Sequence, residues 1–325
     1  MLRLSVIIPF YNVEQYIAQC LDSVYNQDIP EEEYEVICVN DASPDHSRDI
    51  VLEYQKKHSN LVLVEHEVNK KLGAARNTGR KVARGKYIWN VDSDDMIVSN
   101  CLKEILERCE SNDLDVLLFC YDIYTDGLRI ERDRPWEESP KPCSGIEFWK
   151  KQVISHQGEI SQVWTQMYRR EFLDEKHIFS PEINMAEDES YTYSSFLQAQ
   201  RLMVTNQAYY VFRQNPTSLT SSLKNAPTPM LLYEESYKAT KLLYGLMQYI
   251  PLDEKDVRQS VKNVIIYKID NAWKYFSKMS AENRTSFRTL CLRNFFSNAY
   301  VFRVLNFKHI FQYLRFLFLG IAKNK

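Results

Sequence analysis

The stretch Lys86-Tyr87-Ile88-Trp89-Asn90-Val91-Asp92-Ser93-Asp94-Asp95 decides the fold. Its first half has the β-branched and aromatic content of a buried strand, with Gly85 ahead of it as punctuation. Its second half places three carboxylates within four residues, where that strand should end. Like charges this close repel and are costly to leave unpaired, so a cation is expected beside them. In an open α/β sheet, ligands bind outside the carboxyl ends of the strands. A divalent ion held by hard oxygen ligands and shared with phosphates meets both conditions. An acidic loop that merely caps the next helix is the simpler alternative.

Working outward, the same rhythm repeats. Leu4–Pro9 is an apolar run closed by proline, and Val13, Tyr16, Ile17, Cys20, Leu21 and Val24 then recur at helical spacing. Tyr34–Asn40 predicts a second strand, Ser47–His58 a helix, Leu61–Glu65 a strand and Gly73–Ala83 a helix before the strand at Tyr87. Strands alternating with helices predict an α/β fold with a mostly parallel sheet and helices on both faces. Beyond Asp95, the pattern gives a helix at Cys101–Cys109, a strand at Val116–Tyr121, a proline-rich loop at Asp133–Ser144 and two short strands at Leu202–Thr205 and Tyr209–Phe212. From Pro229 onward it is almost wholly helical. The expected organisation is a catalytic domain over 1–228, with halves 1–100 and 101–228, followed by a helical region over 229–325.

Seven scattered cysteines without CxxC spacing argue for a reducing compartment and against a structural zinc. The apolar run at the N-terminus is too short for a signal peptide, and no window is long enough to span a membrane. The expected location is cytoplasmic. The net charge of −2 conceals an asymmetry. Eight lysines and arginines and no acidic residue follow Glu282, which leaves 33 basic against 43 acidic residues upstream. In that tail Val304, Phe307, Phe311, Leu314, Phe318 and Ile321 share one helical stripe edged by Lys308 and Arg315. Aromatics beside cations without acids suit an interfacial helix on anionic lipid, so residues 284–325 are expected to contact the inner face of the membrane.

Four features fall at the predicted carboxyl ends of strands or in the loops beside them: Pro9-Phe10-Tyr11-Asn12, Asn40-Asp41-Ala42-Ser43, the basic Lys70/Lys71/Arg76 stretch and Asp92–Asp95. Parallel geometry brings such ends to one edge. An aromatic ring and a carboxylate there can hold a nucleobase, Arg76 can pair with phosphate oxygens, and a metal on the carboxylates can neutralise the rest.

These words, in this order, resemble the inverting nucleotide-sugar glycosyltransferases of family two, which have the GT-A fold. The match runs through Ser5–Asn12, Glu35–Asp45, Asn69 to Gly79, Ala83–Ile88 and Asp92–Asp95, and more weakly through Trp164–Arg170, Glu187-Asp188-Glu189 and Tyr210–Ser218. The resemblance implies that Asp41 contacts uracil and that Pro9 and Tyr11 shape the nucleoside pocket. Asp92 would sit near the ribose or metal, Asp94 would ligate a divalent Mn²⁺ or Mg²⁺ on the diphosphate, and Asp188 would be the catalytic base. Arg213 and Ser218 would reach donor phosphates from a closing loop. Three departures stand out: Asn40 where an Asp is frequent, and Ala42 and Lys71 where glycine is. With Ala42, that turn is expected to avoid a positive φ.

The expected function is sugar transfer from a nucleotide sugar, most simply a UDP-sugar, to a saccharide or lipid-linked acceptor of a cell-surface polysaccharide. No nucleic-acid partner is expected. The alternatives are a non-catalytic nucleotide-sugar-binding or membrane scaffold protein, and a nucleotidyltransferase. The last needs a glycine- and lysine-rich phosphate loop after the first strand, where this chain has Phe10-Tyr11-Asn12-Val13.

Overall fold

The computed structural model describes residues 2–132, 136–154, 161–183, 187–215, 229–277 and 280. The chain divides into two compact units, Met1–Pro216 and Thr217–Lys325.

In the first unit, β1 (Leu4–Phe10), α1 (Ile17–Tyr25), β2 (Tyr34–Asn40), α2 (Ser47–Gln55), β3 (Leu61–Glu65), α3 (Lys71–Val82) and β4 (Tyr87–Asn90) follow the expected alternation. Every residue of β1, β2 and β4 is buried, which is why they read as continuous apolar runs rather than alternating ones. The strands lie in the order β3-β2-β1-β4, all parallel. Pairing of β1 with β4 ends at Ile7, two residues short of Pro9, so the missing proline N–H deprives β4 of no bond.

The chain continues through β5 (Met96–Ile97), α4 (Leu102–Ser111), β6 (Val116–Thr125), β7 (Leu128–Ile130), α5 (Gly145–Phe148), β8 (Gln166–Arg169), α6 (Arg170–Glu175), α7 (Glu187–Gln198) and β9 (Leu202–Arg213). The sheet extends from β4 to β8, β6, β9 and β5. Here it is mixed: β8 runs antiparallel to both β4 and β6, while β9 runs parallel to β6. The two short strands expected after Arg201 are one long strand, whose pairing with β6 shifts register around Cys120.

Trp89 joins the two halves. Its ring packs edge-on against Phe119 at 5.1 Å, and its indole N–H donates to the Trp164 carbonyl at 2.8 Å. Trp164 in turn stacks on Tyr210 at 4.4 Å. The strand that ends in the acidic turn is thereby anchored to β9 by aromatic packing.

α3 is pressed from two sides, and glycine marks each contact. A Cβ on Gly79 would come within 2.5 Å of the Ile7 side chain in β1. On Gly73 it would come within 2.3 Å of the Pro181 carbonyl.

In the second unit, α8 (Pro229–Gly245) and α9 (Lys255–Ser277) pack together, and the Arg258 guanidinium donates to the carbonyls of Met247 and Ile250 at 3.0 and 2.6 Å. No helix among the described residues is long and apolar enough to cross a membrane. The basic aromatic tail at 284–325 lies outside the described residues.

Candidate active site

The three carboxylates of the acidic turn diverge, which is how their mutual repulsion is relieved. Asp95 turns into the core, where Tyr210 Oη donates to its Oδ2 at 2.7 Å and the Arg213 main-chain N–H donates to its Oδ1 at 2.7 Å. Burial, then the charges of Asp94 and Asp92, push the Asp95 carboxyl well above its ordinary range. The same Tyr210 hydroxyl accepts the Asp92 N–H at 3.1 Å, so one side chain fixes both ends of the turn.

Asp94 accepts from Asn215 Nδ2 at 2.9 Å, and burial followed by the charge of Asp92 raises its pKa. Asp92 accepts from Arg76 Nη2 at 2.8 Å. The other terminal nitrogen of Arg76 donates to Asp188, 112 residues away in sequence. Arg76 is 2% exposed, whereas the side chains of Asp92 and Asp188 keep 25% and 24% of their surface. One buried guanidinium therefore holds together two carboxylates that both remain open to solvent. Burial opposes the charge on Arg76, but Asp188 and Asp92 outweigh it and keep the guanidinium protonated. The Asp188 carboxyl is raised by burial, partly offset by Arg76 and reinforced by Asp92. Its neighbour Glu187 is also raised, by burial and then by the charge of Asp188.

The sequence pointed to Arg76 and Arg213 as phosphate ligands, and here both are engaged by protein groups. The Arg213 guanidinium lies 5.3 and 4.8 Å from the ring centres of Tyr16 and Tyr124. Its Nε donates to the Asp94 carbonyl at 2.8 Å and its Nη2 to Gln19 Oε1 at 2.6 Å. Arg213 thus braces the acidic turn. Ser218 lies outside the described residues.

Asp41 is 4% exposed, and its carboxylate accepts the main-chain N–H groups of Lys70 and Lys71 at 2.8 and 2.9 Å. His66 Nδ1 lies 2.7 Å from the same carboxylate, and its Nε2 lies 2.9 Å from Thr78 Oγ1. Asp41 therefore ties the loop after β2 to the start of α3, the helix that carries Arg76. Tyr11, 47% exposed, stands at the rim, and Pro9 is buried in β1.

The expectation that Ala42 avoids a positive φ is corrected. Ala42 has φ 58° and Lys71 has φ 75°, and Asn12 in the first loop has φ 57°. The surrounding bonds impose these conformations. Ser43 N–H donates to Asn40 Oδ1 at 2.8 Å, Asp41 N–H to the Phe10 carbonyl at 3.0 Å, and Asn12 N–H to Ser43 Oγ at 2.7 Å. Left-handed backbone at a non-glycine residue costs about 1–2 kcal/mol, and three such residues line one edge of the sheet.

His66, Tyr210 and Asn215 were not singled out from the sequence. Tyr210 and Asn215 lay in a stretch marked for other residues, and His66 carried only the faint signal of a lone polar residue directly after a strand. Among the described residues, no group of three or more His, Cys, Asp or Glu side chains is arranged to hold a metal ion. Asp92 and Asp94 offer two carboxylates, an all-oxygen donor set at the end of β4, with Asp92 accepting from Arg76 and Asp94 from Asn215. This suits an ion completed by water and substrate phosphate rather than one caged by protein alone.

The fold is that of the poly(ribitol-phosphate) β-N-acetylglucosaminyltransferase TarS of Staphylococcus aureus. Its crystal structure in complex with UDP superposes with a TM-score of 0.69 at 27% identity, covering 88% of this chain and 78% of that one. The family model of glycosyl transferase family 2 matches residues 5–176, and the chain belongs to that family. The uncharacterized glycosyltransferase EpsJ of Bacillus subtilis is 35% identical over 66% of this chain and 62% of its own length. A poly(ribitol-phosphate) β-glucosyltransferase of Bacillus spizizenii is 33% identical over 65% of this chain and 32% of its own. The chain thus spans a third to under two thirds of the length of these curated relatives.

Proposed function

We propose that this chain is an inverting glycosyltransferase that moves a sugar from a UDP-sugar to a hydroxyl of a saccharide or lipid-linked acceptor in cell-surface polysaccharide synthesis. Residues 1–100 would bind the nucleotide and 101–228 the acceptor. The observation that carries the reading is the Asp92–Arg76–Asp188 bridge, which joins the acidic turn and the proposed base in one cluster. TarS, of the same fold, has been crystallised with UDP and with UDP-GlcNAc, which supports a uridine donor.

In this reading Pro9, Tyr11 and the Asp41 loop enclose the nucleoside. Asp92 and Asp94 would hold a divalent Mn²⁺ or Mg²⁺, which would supply positive charge at the diphosphate. Asp188 takes the proton of the acceptor hydroxyl while that oxygen bonds to the anomeric carbon. The bond from that carbon to the diphosphate breaks, and its electron pair leaves on the terminal phosphate oxygen of UDP. A single displacement of this kind inverts the anomeric centre and needs no enzyme nucleophile. Arg76 keeps Asp188 ionised and fixed, and Arg213 and Tyr210 hold the turn in shape.

The test is a thermal-stability panel of UDP, GDP and dTDP with and without Mn²⁺. UDP with Mn²⁺ is expected to stabilise most, by about 2.7 kcal/mol at a hundred times its Kd, and Asp94→Asn is expected to erase the manganese-dependent part. Equal responses to all three nucleotides, or no effect of Mn²⁺, would count against the reading.

The tail at 284–325 fits delivery of a lipid-linked acceptor at the cytoplasmic face of the membrane. Deleting it is expected to abolish co-sedimentation with vesicles rich in anionic lipid. A truncated chain that still pellets with them would refute that role.

A further inference from the structure

One face of α3 grips the segment that leads to Asp188. Gly73, Arg76, Asn77 and Arg80 fall on that face by their three- and four-residue spacing. Asn77 Nδ2 donates to the Ser180 carbonyl at 2.8 Å, and the Ser180 N–H donates to Asn77 Oδ1 at 2.9 Å. One turn earlier, the absent Cβ of Gly73 admits the Pro181 carbonyl. One turn later, Arg80 donates to the Ile178 carbonyl and, at 2.6 Å, to the Asp174 carboxylate, with its guanidinium 4.5 Å from the Phe179 ring centre. Between these contacts Arg76 holds Asp188 itself. Three of the hydrogen bonds and the Gly73 approach are to main chain, so these holds do not depend on the side chains of the segment.

We propose that Asn77 is a positioning residue for Asp188. Its amide forms a two-bond latch on the Ser180 peptide groups, eight residues before Asp188, on the same α3 face from which Arg76 holds the base, and so helps fix Asp188 against Arg76. Only asparagine satisfies both bonds: aspartate has no N–H to donate, and glutamine is a methylene too long. The inference rests on the reading of Asp188 as the base.

The test compares Asn77→Ala, Asn77→Asp and Ser180→Ala with the unaltered chain. The donor is whichever of UDP-glucose, UDP-galactose and UDP-GlcNAc stabilises it most with Mn²⁺. UDP release at saturating donor is followed across pH, UDP affinity by calorimetry, and amide exchange over 174–191 by mass spectrometry. Misplacement of a reacting group by about 1 Å costs on the order of a hundredfold. Asn77→Ala is therefore expected to slow UDP release by about a hundredfold, speed exchange over that segment, shift the acid limb of the pH profile and keep UDP affinity within about twofold. Asn77→Asp, which keeps one of the two bonds, falls between. Ser180→Ala leaves turnover near wild type, because the latch holds its main chain. If Asn77→Ala turns over normally, or loses turnover and UDP affinity together, the proposal is overturned. An Asp188→Asn control separates the cases: active Asp188→Asn removes the base assignment itself, whereas inactive Asp188→Asn with normal Asn77→Ala removes only the positioning role.

Discussion

Asp188→Asn is expected to lower the turnover of the donor by about a hundred- to ten-thousandfold, the usual contribution of a positioned general base, with UDP affinity nearly unchanged. The substitution keeps size and shape, and the amide oxygen can still accept from Arg76, so the bridge to Asp92 survives in part. What it removes is the ability to take a proton. The wild-type pH dependence follows from the same carboxylate. Burial, partly offset by Arg76, raises Asp188 from its ordinary value, and the base works only when ionised. Turnover should therefore fall on acidification, at a higher pH than for an ordinary aspartate, and in Asp188→Asn this acid limb should vanish. Steady-state kinetics from pH 4 to 9 with calorimetry for UDP check both points. A variant with wild-type turnover would end the assignment.

The parallel half of the fold was legible because its strands are buried on both faces and its helices are amphipathic. Of the predicted stripe Val13, Tyr16, Ile17, Cys20, Leu21 and Val24, the last four lie in α1 and are its buried set, while Val13 and Tyr16 precede the helix and are half-buried. The mixed half was harder to read. β5, β7 and β8 are two, three and four residues long, so none carries enough residues for a periodic signal. β9 read as two strands because Asn206-Gln207 interrupts the apolar pattern where its pairing with β6 slips.

At the site, residue types were readable and partners were not. Asp92, Asp94, Asp188 and Arg76 could all be picked out, but the linkage between them crosses 112 residues and exists only once β4, α3 and α7 are packed together. Local propensity failed at Ala42 and Lys71. Their loops are closed by main-chain N–H groups of Ser43 and Lys71 donating to the side chains of Asn40, Asp41 and Asn69, which prevail over the preference of a side chain for negative φ. Strain of this kind concentrates where a fold is shaped for binding, and here it lines the edge where the nucleotide is proposed to lie.

Arg76→Met is expected to be the most damaging substitution to the architecture of the site. Methionine fills much of the same volume, so the loss is mainly one of charge. Asp92 and Asp188 are left facing each other with no cation between them. Removing one partner of a buried ion pair costs about 3–5 kcal/mol; because both carboxylates are one quarter exposed, the lower end of that range applies. The deficit has a definite pH sign. With Arg76 gone, nothing offsets the burial and the Asp92 charge that raise Asp188 above its unfolded value, so the variant loses stability as pH rises out of the acid range and regains it on acidification. Mn²⁺ should restore part of the loss, since a divalent cation can sit where the guanidinium charge was. Arg76→Lys keeps one positive charge but not the planar fork that reaches two carboxylates at once, and should be intermediate in stability while remaining poor in turnover. Chemical denaturation at pH 5 and pH 8, with and without Mn²⁺, measures all of this. A methionine variant as stable as the parent at pH 8 would show that Asp92 and Asp188 do not depend on Arg76.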